Sequence, residues 1–331
     1  MNAARLMKCR LAGTLALAFG LGWSPLAQAQ WKPDNPVRLI VPFGPGGGTD
    51  LLARSVAVEL RKSLGQPVLV ENRPGGNGWI GANAVAKASP DGLMLCVCST
   101  GQTSTAGLLG EQPPYNPLKD LVPVSGGWST TVLLAVRNGL PVSSMAELIA
   151  YAKSTPQKLS FGNVGIGSPN HLGGELLSYL AKIELLQVPY KGESDAITAL
   201  ASGTIDIYAP TTSSNAPALI RDGRIKAIAV FTSERLPAFP GLLPVREQGY
   251  SEFSMDPITG FYVPAGTPAV IIDTLSKAIQ DALKSSGIRE SVEKAGARPL
   301  IYDASTFRQL VIADRDKWFR LKDAGAIKLT Q

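Results

Sequence analysis

Three stretches of this chain join glycines to hydroxyl and amide side chains in a way that can hold an anion. They are Phe43-Gly44-Pro45-Gly46-Gly47-Gly48-Thr49-Asp50, Asn72-Arg73-Pro74-Gly75-Gly76-Asn77-Gly78 and Gly165-Ile166-Gly167-Ser168-Pro169-Asn170-His171. Glycine carries no Cβ, so such a backbone turns tightly and a ligand can come close. Where the turn opens a helix, unpaired N–H groups and the helix dipole favour a carboxylate or phosphate. The first stretch has that setting: an apolar run, Val37 to Val41, precedes it, and Leu51, Leu52, Val56, Leu60 and Leu64 follow at near-helical spacing. Thr49 or Asp50 is placed to cap that helix. Two nucleotide readings fail on its residues. A Walker loop needs Gly-Lys-Ser/Thr where this chain has Gly48-Thr49-Asp50. A dinucleotide turn begun at Gly44 and Gly46 meets Thr49 where the third glycine belongs. A plain strand-to-helix turn without a ligand stays open for this stretch alone.

Other chemistry has thinner support. His171 is the only histidine and lies three residues after Ser168, so a nucleophile and its base are conceivable. No acidic orienter is evident nearby in sequence, and a serine at a helix start is more often a cap. Metal ligation has no support, since no cysteines or carboxylates cluster at ligand spacing around that histidine; no cofactor is expected. Arg73 and Lys191 can bring charge to a site or serve as ordinary solvated groups. Cys96 and Cys98 point the same way on a strand, but a ring so small rarely serves as a structural bridge, and buried free thiols are expected.

The elements that must position these groups follow from length and pattern. The chain has 331 residues, which suggests about two domains. Arg5, Lys8 and Arg10 flank or precede an apolar run from Leu11 to Leu21, and Ala27-Gln28-Ala29 follows: residues 1–29 read as a secretory signal peptide. The run is shorter than the roughly 18 residues of a membrane span, so an exported, unanchored protein is expected. Losing three basic residues and no acidic one lowers the net charge from +6 to +3, which gives little support for nucleic-acid binding. From residue 30 onward, strand and helix patterns alternate. Strands are expected at 38–43, 66–71 and 93–98, with Ser99 and Thr100 at the carboxyl end of the last. After the proline-rich stretch 112–117, a strand at 131–136 begins a second lobe. Further strands are expected at 159–162, 185–188, 205–208 and 225–230, with helices between them. A loop-rich stretch, a return strand at 258–263, a helix of about seventeen residues after Pro268, a strand at 298–301 and a helix at 305–324 close the chain. Ligands bind at the carboxyl ends of strands in open α/β sheets, so two facing lobes would aim several helix starts at one cleft.

With these residues in hand, the chain resembles the substrate-binding receptors of tripartite tricarboxylate transporters, the Bug family of periplasmic solute-binding proteins. The resemblance spans the mature chain. It rests on Val41-Pro42-Phe43 with Pro45 through Asp50, Val70-Glu71-Asn72-Arg73-Pro74-Gly75, Pro90-Asp91-Gly92 and Tyr115-Asn116-Pro117-Leu118-Lys119-Asp120. It continues in Gly165 through Leu172, Val188-Pro189-Tyr190-Lys191-Gly192 and Pro264-Ala265-Gly266-Thr267-Pro268. It implies an α/β, two-lobed periplasmic binding protein of type II, a Venus flytrap. Each lobe would be a mostly parallel sheet flanked by helices, with two crossing segments. Residues 30–130 plus 254–331 would form lobe 1, and 131–253 lobe 2. It further implies a small carboxylate-bearing ligand in the cleft, held by amides, hydroxyls and ordered water. That ligand would be presented to membrane permease subunits or to a sensor. Phe43, Gly46, Gly47, Gly48, Thr49, Asp50, Ser99 and Thr100 would line the first-lobe side. Gly167, Ser168, Asn170, His171 and Thr211 would line the second. A monomer in the periplasm is the expectation, and a secreted hydrolase using Ser168 and His171 is the alternative. One departure stands out: where the family commonly carries Asp-Asn, this chain has Ala209-Pro210-Thr211-Thr212. Without that carboxylate as an ammonium partner, the expected ligand lacks an amino group.

Overall fold

Continuous apolar runs with turn residues between them build the first sheet. Val37–Val41 forms β1, with Leu39, Ile40 and Val41 fully buried, as a strand covered on both faces requires. Helix α1 (Gly48–Leu64) packs Leu52, Val56 and Leu60 inward and ends at Gly65, whose φ of 71° closes it. Strand β2 (Val68–Asn72), helix α2 (Trp79–Ala86) and strand β3 (Met94–Ser99) follow, and β2 and β3 flank β1 in parallel. The turns after Val41, Asn72 and Ser99 therefore share one edge of the sheet. These features come from a computed structural model that describes residues 31–327 except 166, 234, 237, 238 and 254. The expected signal peptide lies outside the described residues.

The chain then runs through β4 (Leu121–Thr130) into a second sheet. That sheet is built from β5 (Leu133–Arg137), α3 (Met145–Ser154), β6 (Leu159–Asn163), α4 (Pro169–Ala181), β7 (Leu185–Pro189), α5 (Glu193–Ser202), β8 (Ile207–Tyr208), α6 (Ala216–Arg221) and β9 (Ile225–Val230). The return elements are β10 (Ile258–Pro264), α7 (Ala269–Lys284), α8 (Ser286–Lys294), β11 (Ala297–Pro299) and α9 (Ala304–Asp323). The first sheet has the order β11-β4-β10-β3-β1-β2 and the second β7-β6-β8-β5-β9. In the second, β7 and β8 flank β6 in parallel, so the turns after Asn163, Pro189 and Tyr208 also share an edge.

Strand β4 was not expected from the sequence. It carries Pro123, Gly126 and Gly127, residues that weaken a strand locally. Antiparallel pairing to β10 and β11 forms it instead. Small residues are needed along the β4–β10 pairing: a Cβ at Gly126 of β4 would strike the Leu300 carbonyl, and one at Gly260 of β10 would strike the Phe307 ring.

Each sheet has its own core. Ile40, Cys96, Tyr262, Phe307 and Val311 cluster in the first lobe, and Phe161, Leu172, Leu176, Phe231 and Phe253 in the second. In addition to the crossing strands, α9 links the two cores. Phe307 and Val311 near its start belong to the first cluster, while Trp318 belongs to the second.

The expected free thiols are corrected. Cys96 and Cys98 form a disulfide, with their Cα atoms 5.5 Å apart. An extended strand would separate positions two apart by about 6.6 Å, so the chain contracts slightly here. That brings the Cα atoms into the range a bridge needs.

Candidate functional site

The turn after β1 is braced from behind. The expectation that Thr49 or Asp50 caps α1 is corrected: the helix begins at Gly48, Gly47 is its N-cap, and no side chain caps it. Asp50, 2% exposed, does other work. Its Oδ2 accepts the Gly46 N–H at 2.9 Å and Arg54 Nε at 3.0 Å, and its Oδ1 accepts Asn72 Nδ2 at 2.9 Å. Asn72 also donates to the Phe43 carbonyl at 3.1 Å and accepts Arg54 Nη2 at 2.9 Å. Burial opposes the charge on Asp50, but the donors on Arg54, Gly46 and Asn72 outweigh it and hold its pKa below the usual carboxylate range. The whole network orders the loop, in which Gly46 takes a φ of 81°. The first carbonyl used by the helix is Gly47, bonded by the Leu51 N–H at 3.0 Å. The amides of Gly48, Thr49 and Asp50 are thus without an intrahelical partner.

Ser99 and Thr100, at the end of β3, are tied within their own lobe. The Ser99 N–H and hydroxyl both reach Gln102 Oε1 at 2.9 Å. The Thr100 hydroxyl accepts the Ile258 N–H at 3.0 Å and donates to its carbonyl at 3.4 Å. Arg73 pairs with Glu71 at 3.3 Å, and Lys191 is exposed.

In the second lobe, Ser168 is the N-cap of α4 and accepts the His171 N–H at 3.3 Å. His171 Nδ1 accepts the Gly167 N–H at 3.3 Å, so a neutral ring carries its proton on Nε2. Burial pushes the His171 pKa down to about 4. Ser168 Oγ serves a backbone amide and Nδ1 accepts another, so both side chains brace the turn. Asn170 donates Nδ2 to the Ala209 carbonyl and so ties this turn to the segment after β8.

That segment meets the other lobe. Thr211 donates its N–H to Glu193 Oε1 at 2.6 Å, and its hydroxyl lies 2.9 and 3.0 Å from the two carboxyl oxygens. The same hydroxyl is 3.0 Å from Ser213 Oγ. Ser213 lies against the first turn, where a Cβ added at Gly48 would be 2.7 Å from the Ser213 Cβ. The structure thus links the first turn, the 209–213 segment and, through Asn170, the 165–171 turn. Ser99 and Thr100 are held to β10 and to Gln102, outside that chain of contacts.

Sequence reasoning missed Arg54 and Asn72, which hold the first turn, and Glu193, which stands behind Thr211. The available signal for Glu193 was its place directly after Tyr190-Lys191-Gly192, at the carboxyl end of a strand pattern. Its contact removes the premise that this part of the site lacks a carboxyl group: the group comes from α5 instead.

Among the described residues, no group of His, Cys, Asp and Glu could hold a metal ion, and no helix is long and apolar enough to cross a membrane. A cavity of about 490 Å³ opens behind the crossing strands, lined by Ser129, Thr131, Asp256, Glu293, Arg298 and neighbours. It shares no lining residue with the glycine turns.

Comparison with known proteins places this geometry. The family described as "Tripartite tricarboxylate transporter family receptor" (TctC) matches residues 52–326. Protein BugT of Bordetella pertussis is 36% identical over 308 residues, covering 91% of each chain. The solved structure of the periplasmic binding protein BugD is 34% identical with a TM-score of 0.79, over 89% of this chain and 99% of that one. MatC from Rhodopseudomonas palustris, solved with bound malate, is 33% identical with a TM-score of 0.78, over 87% of this chain and 99% of that one. The two solved structures share the fold of this chain, and BugD is a periplasmic binding protein, so the chain has the two-lobed α/β fold of that class. The chain belongs to the tripartite tricarboxylate transporter receptor family.

Proposed function

We propose that this protein captures a small carboxylate-bearing ligand between its lobes in the periplasm and presents it to a tripartite tricarboxylate-type permease or to a sensor. One observation carries the reading. The amides of Gly48, Thr49 and Asp50 have no intrahelical partner, and they stand on the carboxyl edge of the first sheet where Ser213 of the other lobe meets them. A carboxylate is the group such a helix start favours. In this reading Phe43 and Gly46 through Asp50 form one jaw, with Ser99 and Thr100 beneath it. Gly167, Ser168, Asn170, His171 and Thr211 form the other, with ordered water completing the contacts. Asp50, Ser168 and His171 contribute by holding turns in shape as much as by touching the ligand. The jaws belong to lobes 30–130 plus 254–331 and 131–253, and they close by motion at the crossing strands. The malate bound to the relative from R. palustris is a ligand of the chemistry this reading expects.

Thermal unfolding of the mature, refolded protein against mono-, di- and tricarboxylates, amino acids and aromatic acids tests it. A ligand present at about 100 times its dissociation constant adds about 2.7 kcal/mol. A shift with one class of carboxylate is the expected result. A cooperative unfolding transition that no carboxylate moves would overturn the reading.

A further inference from the structure

The carboxyl edge of the second sheet carries a charged group that the binding reading has not used. Glu193 is the first residue of α5, directly beyond the end of β7, so it shares an edge with the 165–171 turn and the segment after Tyr208. Thr211 supplies it with one N–H and one hydroxyl. A carboxylate has about four acceptor positions, so acceptor capacity is left over. None of the ion pairs among the described residues includes Glu193. The residue stays partly exposed while protein surrounds it closely, and burial pushes its pKa up, with the Thr211 donors opposing. An acid so placed is costly to keep charged unless a cation comes to it.

Tyr208 is a second, independent sign. It ends β8 and is fully buried, and among the described residues its hydroxyl has no hydrogen-bond partner. Burial holds its phenol protonated, and a charge on nearby Glu193 adds to that. A buried hydroxyl without a partner calls for an explanation, and a ligand group at Glu193 is one. From Glu193 the contacts run through Thr211 and Ser213 to Gly48 at the start of α1.

We propose that Glu193, backed by Thr211 and flanked by Tyr208, is the subsite for a cationic nitrogen, so that the preferred ligand is a small amino-carboxylate. Its carboxylate lies at the start of α1 and its ammonium at Glu193. The proposal rests on the carboxylate-binding reading above and sharpens it. A ligand with a second carboxylate at this end meets a like charge, which is how a site rejects as well as selects. The ligand preference inferred from Ala209-Pro210-Thr211-Thr212 is thereby reversed, because the carboxyl group missing from that segment arrives from α5.

Calorimetric titration of the mature, refolded protein with matched pairs tests this: 4-aminobutyrate against succinate and 6-aminohexanoate against adipate. The expected result is that at least one amino ligand binds about tenfold or more tighter than its partner diacid. Glu193→Gln, which keeps an acceptor for Thr211, should erase that preference by weakening the amino ligand and strengthening the diacid. Tyr208→Phe should weaken the amino ligand several-fold while leaving the free protein at least as stable, an outcome a purely structural hydroxyl would not produce. Diacids binding tighter than amino ligands, or a preference unchanged in Glu193→Gln, would overturn the proposal and leave the carboxylate reading standing. No binding in either series would overturn both.

Discussion

His171 can be read directly, because it is the only histidine in the chain. It is 1% exposed, and burial lowers its pKa from 6.5 to about 4. The unfolded chain takes up a proton near pH 6.5 and the folded one only near pH 4, so between those values the unfolded state binds more protons. Stability from the neutral ring is therefore complete above pH 6.5 and drains away as pH falls toward 4. The drop corresponds to about 3 kcal/mol, at 1.36 kcal/mol per pH unit, or about 5 °C in melting temperature for a chain of this size. Hydrogen bonding points the same way. Nδ1 accepts the Gly167 N–H, and a protonated ring would set a second donor against the first. Proton NMR of untagged protein should show one imidazole that does not titrate around pH 6.5 and begins to shift only near pH 4. Urea unfolding of His171→Asn should show a shallower loss of stability between pH 6.5 and 4 than wild type, by about 3 kcal/mol across the range. An imidazole titrating near 6.5, or identical pH dependence in the two proteins, would refute the reasoning that the second-lobe turn is built around a neutral, buried ring.

Other consequences follow from single contacts. Gly48→Ala favours the helix but puts a methyl 2.7 Å from the Ser213 Cβ. Ligand affinity should fall by about tenfold or more without loss of stability, and Ser213→Gly should restore it; a variant that binds like wild type would show that the two segments need not meet. Asp50→Ala strips Gly46, Asn72 and Arg54 of a shared acceptor and should cost about 2 kcal/mol in urea unfolding together with most of the ligand affinity. Its stabilising effect should vanish in acid, because a carboxylate held below its usual pKa contributes above about pH 4 and is lost below it. Gly260→Ala drives a methyl into the Phe307 ring and should destabilise by about 3 kcal/mol, with Phe307→Leu relieving part of the loss; an unchanged midpoint would mean the two elements can part freely.

Much of this was legible in the chain because it is local. Hydrophobic period, glycine turns and cap residues gave α1, β1, β3 and the Ser168 cap without any knowledge of neighbours. Strand β4 was hidden, because its proline and glycines speak against a strand and only antiparallel partners from residues 258–264 and 297–299 impose one. The disulfide was misjudged for a related reason: its small ring depends on a contraction along β3 that spacing alone does not report.

At the site the division falls in the same place. The sequence by itself determined that glycine turns stand at strand ends and open helices, since backbone freedom and helix polarity are properties of a few consecutive residues. Only the tertiary structure decided how they are used. It turned Asp50 from a cap into the brace of a loop by bringing Asn72 to it. It set Ser213 of one lobe on Gly48 of the other, and it placed the carboxyl group of Glu193 behind Thr211, eighteen residues away along the chain. Hydrogen bonds and steric contacts act over a few ångströms, and which distant residues come within that reach is settled by how the sheets stack and cross.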